Sequence, residues 1–359
     1  MQNTGQTFVI LTPGFPKNEE DSTCLPAQQL FIKTLNNLYP QLRIIILSFE
    51  YPFTKSTYTW HDNQVISFDG RDKKSLLAKF ALWREVWKTL TKIKKENNLV
   101  GLLSFWCSEC ALLSKYFSRR NRLRYFIWIL GQDARKENKY VKFIRPSPEE
   151  LIAMSDFLSH EFLRNHSIQP GHIIPNGIGL EKQNGISPPR DIDIIGVGSL
   201  IPLKRFDLFV DLIYALKKNH PNLRVMLCGK GPEEKAIREL IEKFDLRQTI
   251  AVTGEKSHPE ILRLMRRSKI LLHTSSYEGF STVCLEGLCA GAQVVSFCKP
   301  MNEWIRHWHV ASGKEEMLGM LHEILTDPTI DFRPVLPYTM NDTARNMMKL
   351  YDYNELAES

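Results

Sequence analysis

The sequence predicts an α/β protein built from two doubly wound domains facing each other across a cleft. Three observations carry that prediction. The chain has 359 residues, more than a single hydrophobic core ordinarily serves. Short β-branched runs alternate with segments of helical periodicity along most of its length, the rhythm of a parallel sheet with crossover helices. The rhythm is interrupted near the middle by a polar stretch bearing Gly and Pro, EKQNGISPPR at 181–190, whose composition suits an interdomain linker.

In the first half, residues 8–11 (FVIL) read as a buried strand that runs into the loop Thr12-Pro13-Gly14-Phe15-Pro16. A helix is predicted over 26–39, where Leu30, Leu35 and Leu38 recur on one face, and residues 43–47 (RIIIL) supply the next strand. The pattern continues with a helix over 75–95, a strand over 99–104, a helix over 109–117 and a strand over 125–130. A strand at 151–154, a helix at 156–165 and a short strand at 172–174 close this half at Pro175-Asn176-Gly177. The second half restarts with strands at 193–197, 223–228, 250–252, 270–274 and 293–297. Helices at 206–219, 233–244, 259–267 and 282–290 are threaded between them. The predicted partition is therefore 1–181 plus a returning C-terminal segment 337–359, a linker 182–190, and a second domain 191–336. Ligands in such folds gather at the C-terminal ends of the strands.

Composition excludes several classes. With 43% hydrophobic and 24% charged residues the chain is neither fibrous nor disordered. Its longest apolar runs, such as YFIWIL at 125–130, are strand-sized and fall short of the roughly 18 residues a membrane-spanning helix needs. The first residues lack a basic segment followed by a long apolar one, so a cytoplasmic location is expected. Seven cysteines scattered through a large chain point to reduced thiols. Cys107 and Cys110 form a CxxC pair without a second one to complete a metal site.

Three places in the second half suit a ligand bearing phosphate. The first is Gly198-Ser199-Leu200-Ile201-Pro202-Leu203-Lys204-Arg205, between a strand and a helix, where a cation and helix amides can meet a diphosphate. The second is Gly229-Lys230-Gly231-Pro232, whose glycines would let a ligand approach the backbone. The third runs from Ser275 to Glu286 and carries Glu278 in the loop and Glu286 one turn into a helix, with the amides of Ser281 and Thr282 between them. Glu286 sits in an apolar helix (VCLEGLCAGA), where a carboxylate without a partner would be costly.

These residues resemble glycosyltransferase family 4, a retaining group with the GT-B fold. The resemblance runs from Gly196 to about Ser296. It rests on Gly198 to Lys204 with Arg205 and Asp207, on Gly229-x-Gly231-Pro232, on Gly254, and on the Glu278-Gly279-Phe280…Glu286-Gly287…Gly291 block. In the first half it is looser, resting on Pro13-Gly14, Ser155 and Ile174-Pro175-Asn176-Gly177-Ile178. The resemblance implies that Glu286 binds the ribose of a nucleotide sugar and that Glu278 holds the donor sugar. It implies that Lys204, with Arg205 beside it, neutralises the departing diphosphate, and that no metal or other cofactor is needed. Gly14, Ser199, Gly229, Gly231, Gly279, Phe280, Ser281 and Thr282 complete the implied donor site. Two departures stand out. Ser199 occupies a place where relatives often carry Arg, and Gln132-Asp133 stands where they often carry His-Asp, so Gln132 and Asp133 are candidate contacts to acceptor or sugar but supply no histidine base.

The formal charge of +7 is concentrated in the first half. Basic residues of 71–95, among them Arg71, Lys73, Lys79, Arg84, Lys88 and Lys95, interleave with Leu77, Phe80, Trp83 and Trp87. That pattern suits either an anionic membrane surface, to which a peripheral enzyme with a lipid-linked acceptor would bind, or an ordinary helix with a solvated basic side. No nucleic-acid-binding module accompanies the charge. The expected function is retaining transfer of a sugar from a nucleotide-diphosphate donor to a saccharide or lipid-linked acceptor, in surface polysaccharide or glycan biosynthesis. Closure about the linker would exclude water from the site. Alternatives on the same fold are a nucleotide-sugar epimerase or phosphorylase, or a catalytically silent subunit that binds nucleotide sugars.

Overall fold

A computed structural model describes residues 5–70, 75–179 and 188–353. The chain divides into two compact units, residues 1–179 with 339–359 and residues 180–338. Most of the predicted linker, 182–187, lies outside the described residues, as do Arg71, Lys73 and Lys74.

The first unit holds an eight-stranded sheet. Its elements are β1 (Gln6–Gly14), α1 (Pro26–Leu38), β2 (Arg43–Tyr51), β3 (Ser56–Trp60), β4 (Asn63–Ser67), α2 (Leu76–Glu96) and β5 (Asn98–Phe105). They are followed by α3 (Glu109–Asn121), β6 (Arg124–Ile129), α4 (Tyr140–Ile144), β7 (Leu151–Ala153), α5 (Asp156–His166) and β8 (His172–Ile173). Strand order is β3-β4-β2-β1-β5-β6-β7-β8, parallel except where β3 pairs antiparallel with β4. That hairpin is absent from the sequence prediction. Its turn is made by His61 and Asp62, both with positive φ (41° and 64°), conformations that Asn-Gly would have advertised and His-Asp does not.

Residues of β1 are apolar on both faces because both are covered: Phe8, Val9, Ile10 and Leu11 are fully buried. Phe8 and Ile10 join Phe31 and Leu35 of α1 and Trp128 of β6 in one core. The C-terminal helix Met340–Lys349 returns to the same core, contributing Met340, Ala344, Met347 and Met348. Tyr351 just beyond it donates its hydroxyl to the Leu102 carbonyl (2.8 Å) and meets Phe8 edge-on. The helix is secured at its start by Thr339, whose side chain accepts from Asp342 N.

Helix α2 buries Leu82, Val86, Leu90 and Ile93 along one stripe. Its opposite side is solvated and two-toned, with Leu77 (83% exposed) and Phe80 (60% exposed) near the start and exposed Arg84, Lys88 and Lys95 further along.

The second unit has a six-stranded, wholly parallel sheet of order β11-β10-β9-β12-β13-β14. Its elements are β9 (Ile192–Val197), α6 (Phe206–Lys217), β10 (Val225–Cys228), α7 (Glu234–Lys243), β11 (Ile250–Gly254), α8 (His258–Arg266) and β12 (Ser268–His273). The unit ends with α9 (Thr282–Cys289), β13 (Gln293–Ser296), β14 (Trp308–Val310) and α10 (Lys314–Thr326). The last strand and helix go beyond the sequence prediction. Ile194, Leu227, Ile270 and Val295 form the sheet side of a core that takes Phe209 and Ile213 from α6 and Met317 and Leu321 from α10. Strand order reverses at β9, which pairs with β10 on one side and β12 on the other. The loops after β9 and β12 therefore leave from neighbouring strands in opposite directions, opening the crevice where such sheets bind ligands. Among the described residues no helix is long and apolar enough to cross a membrane.

Candidate functional site

The site in the second unit is assembled by backbone ties between strand-end loops. Past β9, the chain makes a short turn at Pro202–Lys204. The loop after β12 is fastened to that turn, with Ser276 N donating to Leu203 O (3.0 Å) and Thr274 Oγ1 to Lys204 O (2.9 Å). These bonds carry Lys204 to Glu278, 74 residues later, and Lys204 Nζ ion-pairs with Glu278 Oε1. Helix α9 then lies close against the sheet, because Gly287 faces β12 where a Cβ would come within 2.6 Å of the Leu271 side chain. That packing sets Glu286 on the side of α9 toward α8, where His258 Nε2 is 2.9 Å from its Oε1.

Glu278 is the perturbed carboxylate of this site. Burial alone would raise its pKa, but His273 and the charge of Lys204 outweigh it and hold the carboxyl at about 2. Its contacts with Lys204, His273 (3.2 Å) and Ser275 (3.4 Å) all fall on Oε1. Oε2 accepts from none of these three, so it is the oxygen available to a hydroxyl. Both glutamates of the motif thus have a histidine partner, His273 for the first and His258 for the second. The sequence singled out neither, for their pairing spans 5 and 28 residues and follows no spacing rule. Glu286 does have the partner that its apolar helix demanded.

The other predicted residues fall into three groups. Ser199 is exposed beside the Lys204 turn, while Gly279, Phe280 and Ser281 are buried around the start of α9. Phe280 packs edge-on against Tyr338 (5.6 Å between centroids), and Thr282 begins the helix. Arg205 does not join Lys204. It sits in a left-handed conformation (φ 51°) and its guanidinium turns to Asp207, 3.1 Å away.

The two loop glycines are demanded by the packing of neighbouring loops. A Cβ on Gly229 would lie 1.8 Å from Gly198 O, and one on Gly231 would lie 2.4 Å from Leu200 O. Their bareness lets the loops after β9 and β10 pack backbone to backbone, tied by Gly198 N to Cys228 O and Leu200 N to Lys230 O (both 3.0 Å). Glycine is thus required at 229 and 231 by that packing.

In the first unit, Gly14 ends β1 beside Tyr51 of β2, at the C-terminal edge of that sheet. Gln132 is exposed in a short turn after β6. Asp133 is turned inward instead, so it is no candidate contact to acceptor or sugar. Its carboxylate accepts the backbone N–H groups of Cys107 (2.9 Å), Gly131 (2.9 Å) and Leu130 (3.2 Å) and fixes the loop that presents Gln132. Burial pushes its pKa up to about 6 despite those bonds. Cys107 and Cys110 are buried with thiols pushed up by desolvation, which makes them inert packing residues. Among the described residues no cluster of His, Cys, Asp or Glu could hold a metal ion.

Residues 180–318 match the family model described as "Glycosyl transferases group 1". Among curated proteins, the chain is 25% identical over 203 residues to the phosphatidylinositol N-acetylglucosaminyltransferase gpi3 subunit of Schizosaccharomyces pombe, covering 55% of this chain and 44% of the relative. It is 26% identical over 164 residues to a phosphatidylinositol N-acetylglucosaminyltransferase subunit of Arabidopsis thaliana, covering 44% of this chain and 37% of the relative. The chain thus spans less than half the length of these two relatives. Among solved structures, a glycosyltransferase from Rickettsia africae superposes with a TM-score of 0.69 at 16% identity, covering 96% of this chain and 98% of that one. The lipopolysaccharide outer core galactosyltransferase WaaB gives 0.64 at 14%, with 96% of each chain covered. The fold is the GT-B one that the resemblance implied, two Rossmann-like units, and residues 180–318 are the part of the chain similar to group 1 glycosyltransferases.

Proposed function

We propose that the chain transfers a sugar, with retention, from a nucleotide-diphosphate donor to a saccharide or lipid-linked acceptor in glycan assembly. The observation that carries this reading is the ion pair of Lys204 with Glu278 at the reversal of strand order, with Glu286 on the helix that follows. In this reading Glu286 takes the ribose hydroxyls and Glu278 Oε2 a donor-sugar hydroxyl. Lys204 meets the diphosphate, and as the glycosidic bond breaks its fixed charge stabilises the negative charge that develops there. Arg205 takes no part while it is paired with Asp207. No side chain is assigned as base. The departing diphosphate accepts the proton of the acceptor hydroxyl, and no metal is required.

The donor nucleoside is proposed to be uridine, since solved structures with this fold are described in complex with UDP and glucose and with UDP and GlcNAc. A lipid-linked acceptor is supported by the names of the curated relatives, phosphatidylinositol N-acetylglucosaminyltransferases. It is also supported by the outward side of α2, where exposed Leu77 and Phe80 adjoin Arg84, Lys88 and Lys95. That combination suits peripheral attachment to an anionic bilayer. Incubation with UDP-, GDP-, ADP- and CMP-linked sugars and glycolipid or oligosaccharide acceptors tests the reading. Release of one nucleoside diphosphate together with a product of unchanged anomeric configuration is expected. Isomerised donor without transfer, or inverted product, would refute it.

A further inference from the structure

The three groups around Glu278 Oε1 differ in their freedom to leave. Lys204 reaches it on a flexible four-carbon stem, and Ser275 Oγ is at the long limit of 3.4 Å. His273 is the last residue of β12, held by its strand pairing with Ser296 and only 4% exposed. Its Nε2 is 3.2 Å from Oε1, is shut off from solvent, and has no fully aligned hydrogen bond among the described residues. A buried N–H left in that state is expensive, and the Glu278 carboxylate is the acceptor within reach.

Resting on the donor-site reading above, the ion pair poses a problem of succession. Lys204 cannot saturate Glu278 and a diphosphate at once. When phosphate oxygens draw the ammonium away, a largely buried carboxylate loses its counter-charge just as its other oxygen must receive a sugar hydroxyl. A carboxylate abandoned in that environment would take up a proton or turn toward water. Burial keeps the His273 imidazole below its ordinary pKa and therefore neutral, so with its one proton on Nε2 it can donate to Oε1 without competing with Lys204 for the phosphate.

We propose that His273 is a positioning residue that keeps Glu278 in place while Lys204 transfers from that carboxylate to the donor diphosphate. The histidine touches neither donor nor acceptor. It acts through Glu278, and its effect should appear only when a sugar is attached to the nucleotide.

The test is calorimetric titration of wild type, His273→Gln, His273→Asn and His273→Leu with UDP-glucose, UDP-N-acetylglucosamine, GDP-mannose and ADP-glucose, each beside its bare nucleoside diphosphate. Gln can set its amide N–H where Nε2 stands, whereas Asn is too short. The expected result is that Leu and Asn weaken the sugar nucleotide about tenfold, the scale of one lost hydrogen bond to a charged group. The bare diphosphate should stay within about twofold, and Gln should bind both like wild type. If His273 served packing alone, both ligands would weaken together and Gln would rescue no better than Asn, which overturns the proposal. Should the Leu variant fail to fold, the Gln and Asn pair still decides. Unchanged discrimination in every variant also overturns it. Failure of wild type to bind any of these ligands would instead overturn the donor-site reading, and the proposal with it.

Discussion

Glu278 in the second unit and Asp133 in the first are both carboxylates largely withdrawn from water, and they are perturbed in opposite directions. Glu278 is held down to about 2 by a lysine and a histidine brought from other segments of the chain. Asp133 is pushed up to about 6 by burial, which the backbone N–H groups it accepts from do not fully offset. The first arrangement holds a side-chain cation, which a ligand would claim in the proposed donor site. The second holds a loop. A perturbed carboxylate at a strand end therefore marks a site only once its partners are known, and here the partners separate chemistry from architecture.

The largest expected effect is architectural and lies in the second unit. Gly229→Ala forces a Cβ against Gly198 O at a φ of 155°, and chemical denaturation should show a loss of about 3 kcal/mol or more. A tolerant position would contradict the packing role assigned to this glycine. Next, Lys204→Ala should lower kcat/KM about a hundredfold with the preferred donor, equivalent to about 2.7 kcal/mol of transition-state stabilisation. Asp133→Ala should instead cost about 2 kcal/mol of stability for three N–H groups left without their acceptor and leave donor affinity unchanged. A loss of donor affinity there would collapse the contrast between the units.

The two carboxylates also predict opposite pH dependences. The depressed pKa of Glu278 means that its contribution is present above the unfolded value near 4.5 and is lost as pH falls through about 2. The raised pKa of Asp133 means that the fold favours its protonated form, so stability declines as pH rises from 3.8 through about 6. Scanning calorimetry of wild type against Glu278→Gln and Asp133→Asn from pH 2 to pH 7 should remove one slope in each variant. The smallest effect is expected of Arg205→Ala, less than about twofold on kcat/KM, because an exposed pair with Asp207 is worth little.

Much of this was legible in the sequence, and the reason is local. Strand and helix periods of β1, α1, β2 and α2 are written in consecutive residues, and the Glu278 to Glu286 spacing is fixed by one loop and one turn of helix. What escaped was set by distant segments. The His61-Asp62 turn carries no glycine signal, so β3 and β4 went unseen. The partners of Glu278 and Glu286 come from a strand end and from the start of another helix, contacts that only the packing of α8, α9 and β12 creates. The glycines at 229 and 231 were visible as glycines, but their purpose depends on carbonyls of a neighbouring loop. Asp133, a candidate contact to acceptor or sugar in the sequence, is the clasp of its own turn.

The measurement that bears most directly on the donor site is thermal stabilisation of wild type, Lys204→Ala and Glu286→Ala by UDP-, GDP-, ADP- and CMP-linked sugars. At about 100 times its dissociation constant a ligand adds roughly 2.7 kcal/mol to the state that binds it. The predicted result is a shift in wild type with sugars of one nucleoside, expected to be uridine, and its loss in both variants. No shift with any of them, or equal shifts in all three proteins, would contradict a donor site built on Lys204 and Glu286.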